Sequence, residues 1–205
     1  DRASFANATL KQCEFKACSM NSTTFDQAEL VDCQINQVLP RELDLTAAKV
    51  KHLSVVDMAI KGSDLFRGEY PESDFSNSDL SSQNLAESNF QDAHFAAVNL
   101  TEANLTDSNF VGASLTGADL KRAKVKGADF TGASLSRLFL QGFDFRGAIL
   151  VGADFSNSVL TGCDFTGLDL TGCVFNECDL TGSIFESCEL TDTSFVESKC
   201  PEVNF

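Results

Sequence analysis

Residues 101–135 read TEANL TDSNF VGASL TGADL KRAKV KGADF TGASL: seven five-residue words, each ending in a large apolar residue and carrying Ala or Ser two places before it. A fixed short period marks a solenoid, in which a unit buries its apolar face only by stacking on its neighbours. Followed outward from that stretch, the frame never slips. Every position divisible by five from Phe5 to Phe205 is apolar except Pro40 and Cys200, so 39 of 41 words keep the pattern. An unbroken period leaves no place for a linker. One domain over 1–205 is expected, as a trimmed chain or a piece of a longer one.

With the central residue of each word labelled i, the phases separate by chemistry. The slot at i−2 is small and inward, i−1 is polar and outward, and i+2 holds twelve of the thirteen glycines. Glycine gathered at one phase implies a corner that needs positive φ, as the third position of a type II turn does. Cys13, Cys18, Cys33, Cys163, Cys173, Cys178 and Cys188 all fall at i−2, where a small buried thiol fits. They are expected to be reduced core groups, with Cys200 the most reactive. Neither their spacing nor His52 and His94 suggests a metal site.

Words such as Ala103-Asn104-Leu105-Thr106-Asp107 and Ala118-Asp119-Leu120-Lys121-Arg122 resemble the A(D/N)LXX signature of the pentapeptide repeat family, over the whole chain. The resemblance implies an all-β fold: a right-handed quadrilateral parallel β-helix with four pentapeptides per coil and with i and i−2 filling the interior. Twenty residues per coil give about ten coils, and about 4.8 Å per stacked strand gives a rod about 50 Å long. Asn84 then lies over Asn104 and Asn89 over Asn109, so amide ladders are expected along the outside.

The net charge of −15 argues against a basic face for nucleic acid or anionic lipid. Its distribution is uneven. Residues 68–120 carry nine acids, Glu69, Glu72, Asp74, Asp79, Glu87, Asp92, Glu102, Asp107 and Asp119, and no Lys or Arg. Residues 121–146 reverse the sign with Lys121, Arg122, Lys124, Lys126, Arg137 and Arg146 against Asp129 and Asp144. From 147 onward ten acids face Lys199 alone. The nine acids are the candidate surface for a protein partner with a basic groove.

Two stretches break the repeat. In 36–62, Leu43, Leu53 and Met58 overfill the small slot and Pro40 takes a central position, removing a backbone donor. A bulged but closed coil is expected there, and this irregular patch is a second candidate for binding. In the basic girdle Leu138 and Phe143 overfill the same slot, followed by Leu168, so local widening or an outward-turned apolar side chain is expected.

No nucleophile–base pair, phosphate loop or ligand set stands out from the periodic background, so no catalytic residue, metal or cofactor is expected. No run of about 18 apolar residues and no signal segment is present, which leaves no membrane partner and a cytoplasmic location as the first expectation, a secreted effector as the second. The resemblance implies a non-enzymatic scaffold or recruitment domain. It also implies an alternative, since some bacterial members mimic B-DNA toward the type II topoisomerase gyrase and protect it from quinolones. B-DNA carries one charge per about 1.7 Å, or about 29 over 50 Å, so a net 15 would mimic it at roughly half density.

Overall fold

Each five-residue word has backbone groups to satisfy at two places, its corner and its side. The computed structural model describes residues 2–20, 22–36, 38, 45, 47–58 and 68–205, and among them no helix occurs. Corners are closed by the N–H of i+3 donating to the carbonyl of i, as from Ala103 to Leu100 at 2.9 Å and from Ala113 to Phe110 at 3.0 Å. The residue at i+2 has positive φ at each such position from Glu72 to Glu202, whether glycine or not. Sides are stitched in parallel to the coil that follows, n to n+20, as in Asp79 with Asn99 and Asn84 with Asn104. A side is held by two bonds, for example Leu80 N–H to Asn99 O at 2.8 Å and Asn99 N–H to Ser78 O at 2.9 Å.

Near the start of the chain this pairing broadens into short strands: β1 (Thr9–Lys11), β2 (Glu14–Lys16), β3 (Glu29–Val31), β4 (Gln34–Asn36) and β5 (Lys49–Lys51). β1, β3 and β5 stack in parallel, as do β2 and β4, with Leu10 opposite Leu30 and Leu30 opposite Val50. Four corners per twenty residues make a four-sided parallel coil.

The interior is a set of ladders. Phe90, Phe110 and Phe130 stack at 5.0 and 5.3 Å, and Phe145, Phe165 and Phe185 at 5.0 and 4.9 Å. Described central residues from Met20 to Phe185 are buried, and each such Phe or Leu contributes about 1.5–3 kcal/mol. Burial does not extend to both ends, as uniform periodicity suggests: Phe5, Leu10 and Phe15 are half-buried and Phe205 is 64% exposed.

The small slot does more than leave room. Its hydroxyl or thiol donates to the carbonyl twenty-three residues back: Cys163 Sγ to Leu140 O at 2.7 Å, Cys173 Sγ to Leu150 O at 2.9 Å, Ser183 Oγ to Leu160 O at 2.7 Å. Leu150 and Leu160 already close their own corners, so the second lone pair is used. All eight cysteines are free thiols. Burial pushes Cys163 up to about 12 and Cys173 and Cys178 up to about 11. Contrary to the sequence reading, the exposed thiol is Cys18, in the first coil, while Cys200 is half-buried.

Of the irregular patch, Pro40 and Leu43 lie outside the described residues, whereas Leu53 and Met58 are buried. Each amide finds a serine hydroxyl one coil on, and for Met58 that hydroxyl relays the bond to the corner carbonyl. Met58 N–H donates to Ser78 Oγ at 3.1 Å and Ser78 Oγ donates on to Val55 O at 2.7 Å; Leu53 N–H donates to Ser73 Oγ at 3.1 Å. The side pairing Gln34–Ser54 survives beside Leu53.

The girdle behaves differently. From Glu69 onward side pairing fails at three places, Asp119/Phe139, Lys124/Asp144 and Ile149/Asp169, each one residue beyond an overfilled slot at Leu138, Phe143 or Leu168. Pairing to the coil that follows holds in all three, Phe139–Val159, Asp144–Asp164 and Asp169–Glu189. The extra volume is accommodated by parting from the coil before.

Candidate functional site

The structure sorts the nine acids by what their carboxylates do. Asp74, Asp79 and Asp119, at i−1, accept from the N–H two residues on, Ser76 at 2.9 Å, Ser81 at 3.1 Å and Lys121 at 3.0 Å. These bonds fix the local turn. Glu69 and Asp79 also start amide ladders, accepting from Asn89 Nδ2 at 2.7 Å and Asn99 Nδ2 at 3.0 Å. The ladders expected from the sequence form, with Asn104 Nδ2 donating to Asn84 at 3.0 Å and Asn109 Nδ2 to Asn89 at 3.1 Å.

Glu72, Glu87, Asp92, Glu102 and Asp107 stand instead at corners, exposed, with φ between 55° and 61°. Glu87 and Asp107 share one edge of the rod and Glu72 and Asp92 the next, so both edges of the side carrying Glu69, Asn89 and Asn109 are acidic. Glu102 lies on a different edge, where Arg122 Nη1 meets it at 3.2 Å. The nine acids therefore wrap the rod, with five on one side and its two edges. Where the acids end, glycine begins: a methyl group on Gly112 would collide with Asp92 Oδ1, and one on Gly127 with Asp107 Oδ1.

Along the edge of Glu72, His52 Nδ1 sits 2.9 Å from Asp32 and its Nε2 3.0 Å from Glu72. The Asp32 carboxylate, then Glu72, raises the imidazole above its ordinary value. Reading n−20 and n+20 around His52 in the sequence would have found both carboxylates. Among the described residues no group of three His, Cys, Asp or Glu is arranged to hold a metal ion, and no helix is long and apolar enough to cross a membrane.

The sequence reading expected local widening in the girdle at Leu138 and Phe143 but did not single out Phe139. Where the sides part, a cleft of ≈ 660 Å³ opens, lined by Lys121, Arg122, Phe139, Leu140, Phe143 and Val159 among others. Leu138 is fully buried and Phe143 nearly so, its ring 4.7 Å from that of Phe145. Phe139 is 77% exposed. The signal was in the sequence, for Phe139 is the one Phe at the outward i−1 phase. One coil earlier, Leu100, Glu102 and Leu105 donate to Asp119, Lys121 and Lys124 at 2.8, 2.9 and 2.8 Å. The corresponding bonds from Leu120, Arg122 and Val125 to Phe139, Gln141 and Asp144 are not made.

A family model for pentapeptide repeats matches in eight copies, over residues 73–110, 99–137 and 140–177. Among solved structures, HetL, a pentapeptide repeat protein involved in heterocyst differentiation regulation from the cyanobacterium Nostoc sp. strain PCC 7120, is 18% identical with a TM-score of 0.53, covering 98% of this chain and 86% of its own. A trypsin-treated variant of QnrB1, a plasmid-mediated fluoroquinolone resistance protein, is 17% identical with a TM-score of 0.52, covering 94% of this chain and 91% of its own. At these identities the likeness speaks to fold. No curated protein matches significantly.

Proposed function

Because the chain belongs to the pentapeptide repeat family, whose fold is the right-handed quadrilateral β-helix, we propose that it is a non-enzymatic recruitment rod. It forms one domain of about ten coils and offers acidic edges to a protein partner with a basic groove. The observation that carries this reading is the placement of Glu72, Glu87, Asp92, Glu102 and Asp107 at positive-φ corners. A residue with a Cβ costs about 1 kcal/mol or more in that conformation, and eleven of the fifteen corners from 112 to 182 avoid it with glycine. Charge held at a conformational cost, away from turn-fixing bonds, suits contact with a partner.

The duplex-mimic reading fits less well. The girdle sets six cations against two acids in the middle of the rod, interrupting the negative surface such a mimic needs, so a gyrase supercoiling assay should be unaffected by the rod. The test of recruitment is retention of proteins from a cell extract on the immobilised rod and on a Glu87→Gly, Asp92→Gly, Asp107→Gly triple variant. A partner should be held by the first, lost from the second and released as salt rises, because exposed charges are screened over about 8–10 Å at 0.1–0.15 M. Retention indifferent to both changes would contradict the reading.

A further inference from the structure

We infer that the girdle cleft binds an extended peptide in which a carboxylate side chain stands next to a large apolar one. This site is separate from the acidic edges and does not depend on them. Three observations select that occupant. The parted sides leave the amide of Arg122, an exposed residue that lines the cleft, without its register partner, and an unpaired backbone donor beside a groove can take the carbonyl of an added extended segment. Phe139, 77% exposed with Leu140 and Val159 lining the same cleft, offers an aromatic surface for an apolar anchor.

Charge decides the rest. Lys121 has no ion-pair partner among the described residues, and Arg122 meets only the exposed Glu102. Asp144 lines the cleft too, but its carboxylate is held by Arg146 at 2.8 Å, so on a chain of net charge −15 Lys121 and Arg122 still form a local positive patch, which attracts carboxylates and repels basic segments. A cleft of ≈ 660 Å³ is the size of a small-ligand site, enough for a few side chains and too small for a folded domain.

The experiment is panning of a phage-displayed random dodecapeptide library on the folded rod, with the enriched peptides then synthesised and titrated by fluorescence anisotropy. Enriched sequences should pair Asp or Glu with an adjacent Phe, Trp, Tyr, Leu or Ile. Their affinity should fall about tenfold or more for Phe139→Ala, and likewise for Lys121→Glu with Arg122→Glu, since buried aromatic and Arg anchors dominate binding. These side chains are exposed, so circular-dichroism melting should confirm an intact fold in each variant. Glu87→Gly with Asp92→Gly should leave the peptide affinity unchanged, which separates this site from the recruitment edges. No enrichment, enrichment without the acid–apolar pair, or binding indifferent to Phe139→Ala would overturn the inference. Rod–rod association in sedimentation that Lys121→Glu with Arg122→Glu abolishes would reassign the cleft to a second copy of the chain.

Discussion

Coils built from 72–118 and the girdle that follows at 119–146 share one repeat, yet each departs from it at a different phase. In the first the departure is at the corner: no glycine stands at i+2 from Glu72 to Asp107, and five of those eight positions are acidic. The sides there remain paired throughout. In the second the departure is in the core slot, where Leu138 and Phe143 part their coil from the one before. A corner side chain stands outside the core, so charge can be written there while the stitching of the sides stays intact. A slot residue sits between two coils, so its volume is felt by the side bonds that join them.

The comparison can be broken hardest in the closed coils. Phe110 is fully buried between Phe90 and Phe130, with Phe95 edge-on at 5.3 Å. Phe110→Ala should cost about 3–5 kcal/mol, read as a drop in the denaturation midpoint; a near-native midpoint would mean that the stack is not the source of stability. Next in size, Ala113→Leu puts an overfilled slot between Phe110 and Leu115. It should cost about 1–3 kcal/mol and abolish the bonds Phe95 N–H to Ser114 O and Ser114 N–H to Ala93 O, turning a closed side into an open one. Retained amide protection at Phe95 would show that slot volume alone does not part the coils.

Smaller effects should have the opposite sign or none. Glu87→Gly relieves a corner at φ 59° and should stabilise by at most about 0.4–1 kcal/mol, because glycine also gains freedom in the unfolded chain. A fall in melting temperature would remove the claim that these corners are strained. Phe139→Ala should change stability by less than about 0.5 kcal/mol, since the ring is mostly in water. A large loss would place Phe139 in the core.

Much of this was legible in the period. Reading i, i−2 and i+2 gave the ladders, the thiol slot and the corners, and adding twenty gave the Asn84–Asn104 and Asn89–Asn109 pairs. Volume was harder to read. Leu53 and Leu138 overfill the same slot, and both amides find a serine hydroxyl one coil on. Only Leu138 opens its side. Leu53 lies between Val50 and Val55, which leave room, whereas Leu138 lies between Leu135 and Leu140. Overfilling is thus a property of three consecutive inward residues. The acids were read as one surface because charge was counted along the chain; phase divides them into turn-fixing aspartates and exposed corner carboxylates, of which Glu72 meets His52 and Glu102 meets Arg122. The outward Phe139 was readable by phase alone, whereas Cys18 shares its phase with the buried thiols, so phase could not mark it as the exposed one.

Amide hydrogen exchange on the native rod tests most directly whether slot volume opens the girdle. Leu120, Arg122 and Val125 should exchange orders of magnitude faster than Leu100, Glu102 and Leu105, their equivalents one coil earlier, because only the latter set donates to the coil that follows. Equal, core-like protection in the two sets would mean that the sides between 119 and 146 are closed in solution. In that case neither the cleft nor the binding inferred for it would stand.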